Sequence, residues 1–304
     1  MRDSAPYPMP DASNVCSLPS LLYFIWEREV IRIVKERGGE KPYTKDPVLQ
    51  KYKFTNIRRR DDRVSRWVIE HLIKPREHDP HLWFTLLIAR LINWPPALQR
   101  LIDDGLMFCK PKEFDAQAFS ESLERYKAER GKTYGDAYMI YPTKMDVGGV
   151  KSLAIAKHII TPAAKLAAPL QSIISAEKPL LADFVETLST GFGISTFIAG
   201  QVAADLTYCA QMSDAADLYT YAPIGPGSSR GLNYLLNRAP NAGWTQEDFN
   251  AQLISINESI KSELEIEDLT LHCVQNCMCE FSKYCRTVLG EGKPKSLYQP
   301  GRGF

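Results

Sequence analysis

Leu188-Ser-Thr-Gly-Phe-Gly-Ile-Ser-Thr-Phe-Ile-Ala-Gly-Gln-Val-Ala-Ala-Asp-Leu206 places two glycines, Gly191 and Gly193, between an apolar stretch and a run of small residues. This is the pattern of a helix, a tight Gly-x-Gly turn and a second helix. Neither glycine carries a Cβ to obstruct the turn, and Ser195 stands where the second helix begins. The pattern predicts a helix-hairpin-helix, whose outward amides at Gly191, Gly193 and Ser195 suit a DNA phosphate. The same residues also fit an ordinary glycine-rich turn between packed helices. The hairpin holds no Lys or Arg, consistent with binding through amides.

Working outward, helical signals dominate. In residues 21–37, Leu22, Ile25, Val30 and Ile33 recur at helical spacing, interleaved with Arg28 and Arg32, before Gly38-Gly39. Asp46 reads as an N-cap with Pro47 at the first helical position, and residues 62–74 read as a helix ending before Pro75. Residues 80–130 continue in that style. Strand-like alternation is confined to residues 138–141, within a Gly- and Tyr-bearing segment, 131–149, that reads as a long irregular connection. The expected class is all-α. Residues 1–18 read as a loose arm and 19–304 as one all-helical domain. A division into two lobes is also open, about 19–130 with 240–304 and about 150–240, the second holding the hairpin.

The 304 residues carry 37 Lys and Arg against 36 Asp and Glu, so the total charge suggests no polyanionic partner. Its distribution does. Residues 26–76 balance at +7, residues 281–304 at +4, and the interval between Lys178 and Arg230 at −5. A localised grip on a polyanion beside an acidic working region fits this asymmetry, as do solvated helix faces. Seven irregularly spaced cysteines and an N-terminus without an apolar run point to a reducing cytoplasm, the host's if the chain is phage-encoded. The longest stretch without formal charge, 187–204, is too polar for a membrane span.

Three clusters can carry chemistry. Arg58, Arg59, Arg60, Arg63 and Arg66 fall within nine residues, and Arg59, Arg63 and Arg66 are expected to share one helical face. Planar guanidinium groups there suit phosphate or carboxylate, or form a salt-bridge lattice with Asp62. Gly225-Pro-Gly-Ser-Ser-Arg-Gly231 offers amides, hydroxyls and Arg230 as an anion cradle, but lacks the Gly-Lys-Ser/Thr ending of a nucleotide-binding P-loop. Cys273, Cys277, Cys279 and Cys285 match no common zinc or iron–sulfur spacing, so no metal and no cofactor are expected. His272 stands near Asn276, Glu280 and Lys283, which are further candidates.

Five ordered segments then carry a resemblance: Tyr23-Phe-Ile-Trp-Glu-Arg-Glu29 with Arg32, Lys41-Pro-Tyr-Thr-Lys-Asp-Pro47, Asn56-Ile-Arg-Arg-Arg-Asp-Asp-Arg63, Gly225-Pro-Gly-Ser-Ser-Arg-Gly-Leu-Asn233 and Asn276-Cys-Met-Cys-Glu-Phe-Ser-Lys-Tyr284. Over about residues 20–300 the chain resembles the α-glutamyl/putrescinyl thymine pyrophosphorylases, also described as amino acid:DNA transferases. Their helical domain accompanies 5-hydroxymethyluracil DNA kinases. The resemblance implies a helical architecture like that of helix-hairpin-helix DNA glycosylases, at work in bacteriophage thymine hypermodification. The implied partners are double-stranded DNA carrying modified thymine, an amine or amino-acid co-substrate and a 5-hydroxymethyluracil DNA kinase. The kinase's nucleotide-binding portion is missing from this sequence. Arg60, Tyr43 and Asp136 depart from the pattern, where an acidic residue, Trp and Gly are expected.

In the implied reaction an amine replaces pyrophosphate on the exocyclic methylene of the base. Glu27, Asp62 and Asp205 are candidate general bases, Asp205 because it follows the hairpin helix. Arg28, Arg32, Lys41, Arg58, Arg59, Arg63, Arg66 and Arg230 are candidates for holding pyrophosphate or a co-substrate carboxylate. Trp26, Tyr43, Trp67 and Tyr138 are candidates for stacking on a flipped base, or are core aromatics. Two other readings stay open: a glycosylase-like enzyme that removes a modified base, and a non-catalytic subunit that presents DNA to a kinase.

Overall fold

A computed structural model describes residues 5–135, 148–292, 294 and 297. Tyr138, Asp136 and the strand-like residues 138–141 lie outside the described residues. The rest is all-helical, as expected, with a single isolated bridge between Tyr52 and Leu297 among the described residues. In chain order the helices are α1 (Leu18–Glu36), α2 (Pro47–Lys51), α3 (Arg63–Val68), α4 (Leu82–Ile92), α5 (Pro95–Asp103), α6 (Ala116–Arg130) and α7 (Lys151–Ile155). There follow α8 (Thr161–Ala163), α9 (Ala167–Ile174), α10 (Leu181–Ser189), α11 (Thr196–Leu206), α12 (Pro226–Leu235), α13 (Gln246–Leu264) and α14 (Leu271–Val288). No described helix is long and apolar enough to cross a membrane.

The chain divides into two compact units, one formed by residues 1–62 with 219–303 and the other by 63–218. In the first, α1 opens with Ser17 as N-cap and proline in its first turn, and every residue from Ser20 to Glu29 is buried. A helix buried all round is core. Phe24 packs its ring 4.7 Å from Tyr284 and 5.8 Å from Phe281, both on α14. α12 crosses α14 at very short range: a Cβ on Gly231 would stand 2.1 Å from the Met278 carbonyl oxygen, and one on Gly227 2.4 Å from Cys279 Sγ. The glycines of the 225–231 motif lie inside α12, from its N-cap Gly225 onward, and two of them make this crossing possible.

In the second unit all eleven residues of α4 are buried. α10 and α11 are joined by residues 190–195, where the glycine pattern places a turn, and Gly193 takes φ +75°, a left-handed conformation. Ser195 caps α11 by accepting from the Ile198 N–H at 3.3 Å. Phe192 at the tip is 63% exposed.

Candidate active site

Burial of the first half of α1 forces its polar residues to find partners within the unit. Arg28 donates from Nε to the Thr55 carbonyl oxygen at 2.9 Å, with a second donation from Nη2. The Thr55 hydroxyl accepts from Asn276 Nδ2 at 2.9 Å. The Thr55 N–H is 3.4 Å from Glu280 Oε2, and Lys283 Nζ donates to Glu280 Oε1 at 2.5 Å. Residues 55–57 therefore form a strap tied to α1 on one side and to α14 on the other. In the same unit Arg28 Nη1 and both ring nitrogens of His272 are buried without a hydrogen-bond partner among the described residues.

The strap continues to Asp62. Its carboxylate accepts from the Asn56 N–H at 2.8 Å, and Asn56 Nδ2 donates to the Asp61 carbonyl at 2.8 Å. Burial is the main influence on Asp62 and raises its pKa; Asn56, Arg59 and Arg28 pull it down, Glu280 pushes it up, and the result is about 6. Burial, with the Arg59 charge second, lowers His272 to about 3, so its ring is neutral at pH 7. Burial opposes the Lys283 ammonium, but Glu280 more than restores it. A carboxylate poised near neutrality beside two guanidinium groups can accept a proton and hold an anion in one place.

Other arginines of the sequence cluster are committed elsewhere in the unit. Glu29 is 3% exposed and accepts from Arg32 at 2.6 Å and from Arg58 at 2.7 Å. Arg58 also pairs with Asp268 at 2.7 Å, as Arg60 does at 3.0 Å. Arg32 reaches Glu36 at 2.5 Å and Asp61 at 3.7 Å. These carboxylates hold Arg32 and Arg58 above the ordinary arginine range. Arg59, Arg63 and Arg66 do not share one continuous helical face. A single turn spans Arg59–Asp61, Asp62 is extended at φ −70° and ψ 141°, and α3 begins only at Arg63. Arg59 is buried, whereas Arg63 and Arg66 are exposed residues of the second unit.

Beside α1 lies a second polar centre. Thr44 donates to Glu27 and accepts the Asp46 N–H at 3.0 Å, while Asp46 caps α2 through Val48 and Leu49 and accepts from the Tyr284 hydroxyl at 2.6 Å. Burial, together with Asp46, raises Glu27 above the usual carboxylate range despite the Thr44 bond. Lys41 and Tyr43 line an adjoining cavity. Trp26 belongs to the hydrophobic core, and Trp67 stacks on His71 of the same helical segment at 4.6 Å. Arg230 Nη2 donates to Asn241 Oδ1 at 3.3 Å.

Asp205 closes α11 fully buried in the second unit, with both carboxylate oxygens on Arg90 of α4, one at 2.5 Å. Arg90 also approaches the Ser65 hydroxyl at 3.3 Å and Asn93 Oδ1 at 3.5 Å. This is a complete internal ion pair. Among the described residues no group of His, Cys, Asp and Glu side chains is placed to hold a metal ion. Sequence reasoning passed over Thr55, whose backbone and hydroxyl organise the strap, and Asp268, which anchors Arg58 from 210 residues away. Asn56 stood in a motif but without a role; its position six residues before Asp62 was the available signal.

The five motif segments, spread from Tyr23 to Tyr284, thus come together in one unit except for Arg63. A profile of the 5-hmdU DNA kinase helical domain matches residues 17–293. The 5-hmdU DNA kinase of Bacillus phage SP10 is 25% identical over 280 residues, which cover 86% of this chain and 42% of the phage protein. The chain therefore spans less than half the length of that relative. No solved structure matches.

Proposed function

This chain belongs to the family of the 5-hmdU DNA kinase helical domain, and from that premise we propose that it is a transferase in phage thymine hypermodification. The substrate is DNA in which 5-hydroxymethyluracil already carries a pyrophosphate on its exocyclic methylene, and the co-substrate is an amine, either an amino acid or a polyamine. The methylene C–O bond breaks and its electron pair leaves with pyrophosphate. The amine nitrogen bonds to that carbon and surrenders a proton.

The environment of Asp62 carries the reading. Its carboxyl, raised to about 6, is largely ionised at neutral pH yet basic enough to receive the amine proton. Arg28 has a buried N–H group, Nη1, without a hydrogen-bond partner among the described residues, and with Arg59 it supplies positive charge for the departing pyrophosphate. Asp62 suits the base role better than Asp205, whose two oxygens are both taken by Arg90. Tyr43 is the half-buried candidate for stacking on the base. The α10–α11 turn, with Gly191, Gly193 and Ser195, is the candidate contact to a DNA phosphate.

A second reading rests on the family match: a non-catalytic module that recognises DNA in a 5-hydroxymethyluracil kinase system. Release of inorganic pyrophosphate separates the two. A transferase frees pyrophosphate from pyrophosphorylated DNA only when an amine is supplied, whereas a recognition module binds the DNA with a steep salt dependence and frees none.

A further inference from the structure

Phe192 is more exposed than any other large apolar side chain among the described residues. An exposed apolar side chain is ordinary by itself; this one is set apart by its mounting. It stands at the tip of the α10–α11 turn between two glycines, and the backbone beneath it is tied. The Ile194 N–H donates to the Gly191 carbonyl at 3.1 Å, and the Gly191 N–H to the Leu188 carbonyl at 3.1 Å. The Ser189 and Thr190 hydroxyls fold back onto the Glu186 and Thr187 carbonyls. The base of the turn lies on the residues flanking α8: a Cβ on Gly193 would stand 2.9 Å from Ile159 Cγ1, and one on Gly191 3.3 Å from Leu166 Cδ1. Lys157 and Lys165 are exposed on that same stretch, two residues before Ile159 and one before Leu166. The exposed carboxylates of α10, Asp183 and Glu186, come nine and six residues before Phe192.

We infer that Phe192 is a wedge that inserts into a base step of duplex DNA, with Lys157 and Lys165 on the flanking phosphates. The inference rests on the proposed reading that DNA is the substrate, but not on amine transfer. Proteins that enter the minor groove insert apolar side chains, phenylalanine among them, between base pairs, and contacts along the bent duplex offset the cost of unstacking. Such a wedge needs a ring standing clear of its surface, a backbone that does not give way and positive charge within reach of phosphates. Between Thr190 and Thr196 Phe192 is the only exposed apolar side chain. The turn therefore offers a point rather than a patch, which suits insertion better than the broad apolar centre of a protein–protein interface. Its glycines and its lack of Lys and Arg leave no long side chain in the ring's way. Pyrimidine–purine steps open most easily, so a TA step is the favoured place of entry.

A duplex carrying 2-aminopurine in a TA step reads insertion directly, because the probe brightens when it unstacks. The unaltered chain is compared with Phe192→Ala, Phe192→Leu and Lys157→Ala/Lys165→Ala, each confirmed as folded by thermal unfolding. Anisotropy across a salt series gives the affinities. The unaltered chain is expected to brighten the probe. Phe192→Ala loses the signal and binds at least about fivefold more weakly, and Phe192→Leu keeps part of both. The lysine variant binds with a salt slope shallower by about 2. No brightening by the unaltered chain, or equal brightening and affinity in Phe192→Ala, overturns the wedge and leaves the proposed transfer reaction untouched. Self-association of the unaltered chain in sedimentation, absent from Phe192→Ala, assigns the ring to a contact between copies and overturns the wedge as well. An unaltered chain that binds neither this duplex nor pyrophosphorylated DNA overturns the wedge together with the DNA-directed reading on which it rests.

Discussion

Arg28 on α1 grips the Thr55 carbonyl through Nε at 2.9 Å, and by that contact the segment leading to Asp62 is held against the helix that carries Glu27 and Glu29. One arginine thus supports the strap and sets the charge felt by the carboxylate at its end. Replacing it by glutamine keeps a donor but deletes a charge that favours ionised Asp62. In Arg28→Gln the Asp62 carboxyl is expected to titrate above 6, as followed by carboxyl carbon NMR shifts. An unmoved titration would show that the Arg28 charge has no part in setting it.

Asp62 also gives stability and activity opposite pH trends. Its pKa is raised in the folded chain from the ordinary 3.8 to about 6, so the folded state binds this proton more tightly than the unfolded state. Stability is expected to fall as pH rises from about 4 to about 6, by up to about 1.4 kcal/mol per unit, and then level off as far as this group is concerned. The base role needs the ionised form, so transfer rises through the same window. Asp62→Asn should abolish transfer and flatten the stability profile; urea unfolding at several pH values reads the second effect without any substrate.

The Arg90–Asp205 pair is structural in its geometry and should behave so. Removing one partner with Asp205→Asn or Arg90→Ala leaves a buried charge without its complement, at a cost of about 3–5 kcal/mol. Replacing both by apolar residues of similar volume should cost much less. Chemical denaturation of the two single variants and the double variant distinguishes this coupling from simple loss of packing.

Gly231 should tolerate nothing larger. An alanine Cβ would stand 2.1 Å from the Met278 carbonyl, a backbone atom that cannot move without separating α12 from α14. Gly231→Ala is expected to cost at least about 1–3 kcal/mol in urea unfolding. Gly227→Ala should cost less, because the atom it meets is the Cys279 thiol, which can turn.

Much of this was legible in the chain. The Gly191–Gly193 pair located a turn between α10 and α11, and the spacing of Leu22, Ile25, Val30 and Ile33 announced α1. The segments of the first unit named most of its polar residues. What stayed hidden depends on long-range pairing. Nothing in the apolar run of α4 signals that Arg90 will take both oxygens of Asp205, 115 residues later. Nothing near Arg58 signals Asp268. The shared face of Arg59, Arg63 and Arg66 failed for a local reason: Asp62 leaves helical geometry, and its carboxylate turns back to the Asn56 amide.

The most direct measurement is mass spectrometry of nucleosides after incubating the chain with DNA containing pyrophosphorylated 5-hydroxymethyluracil and a panel of amino acids and polyamines. The account predicts that the pyrophosphorylated nucleoside disappears and is replaced by one bearing the amine on the methylene carbon, its glycosidic bond intact, and that Asp62→Asn prevents this. Pyrophosphorylated nucleoside recovered unchanged with every amine, or a free base and an abasic site, would contradict it.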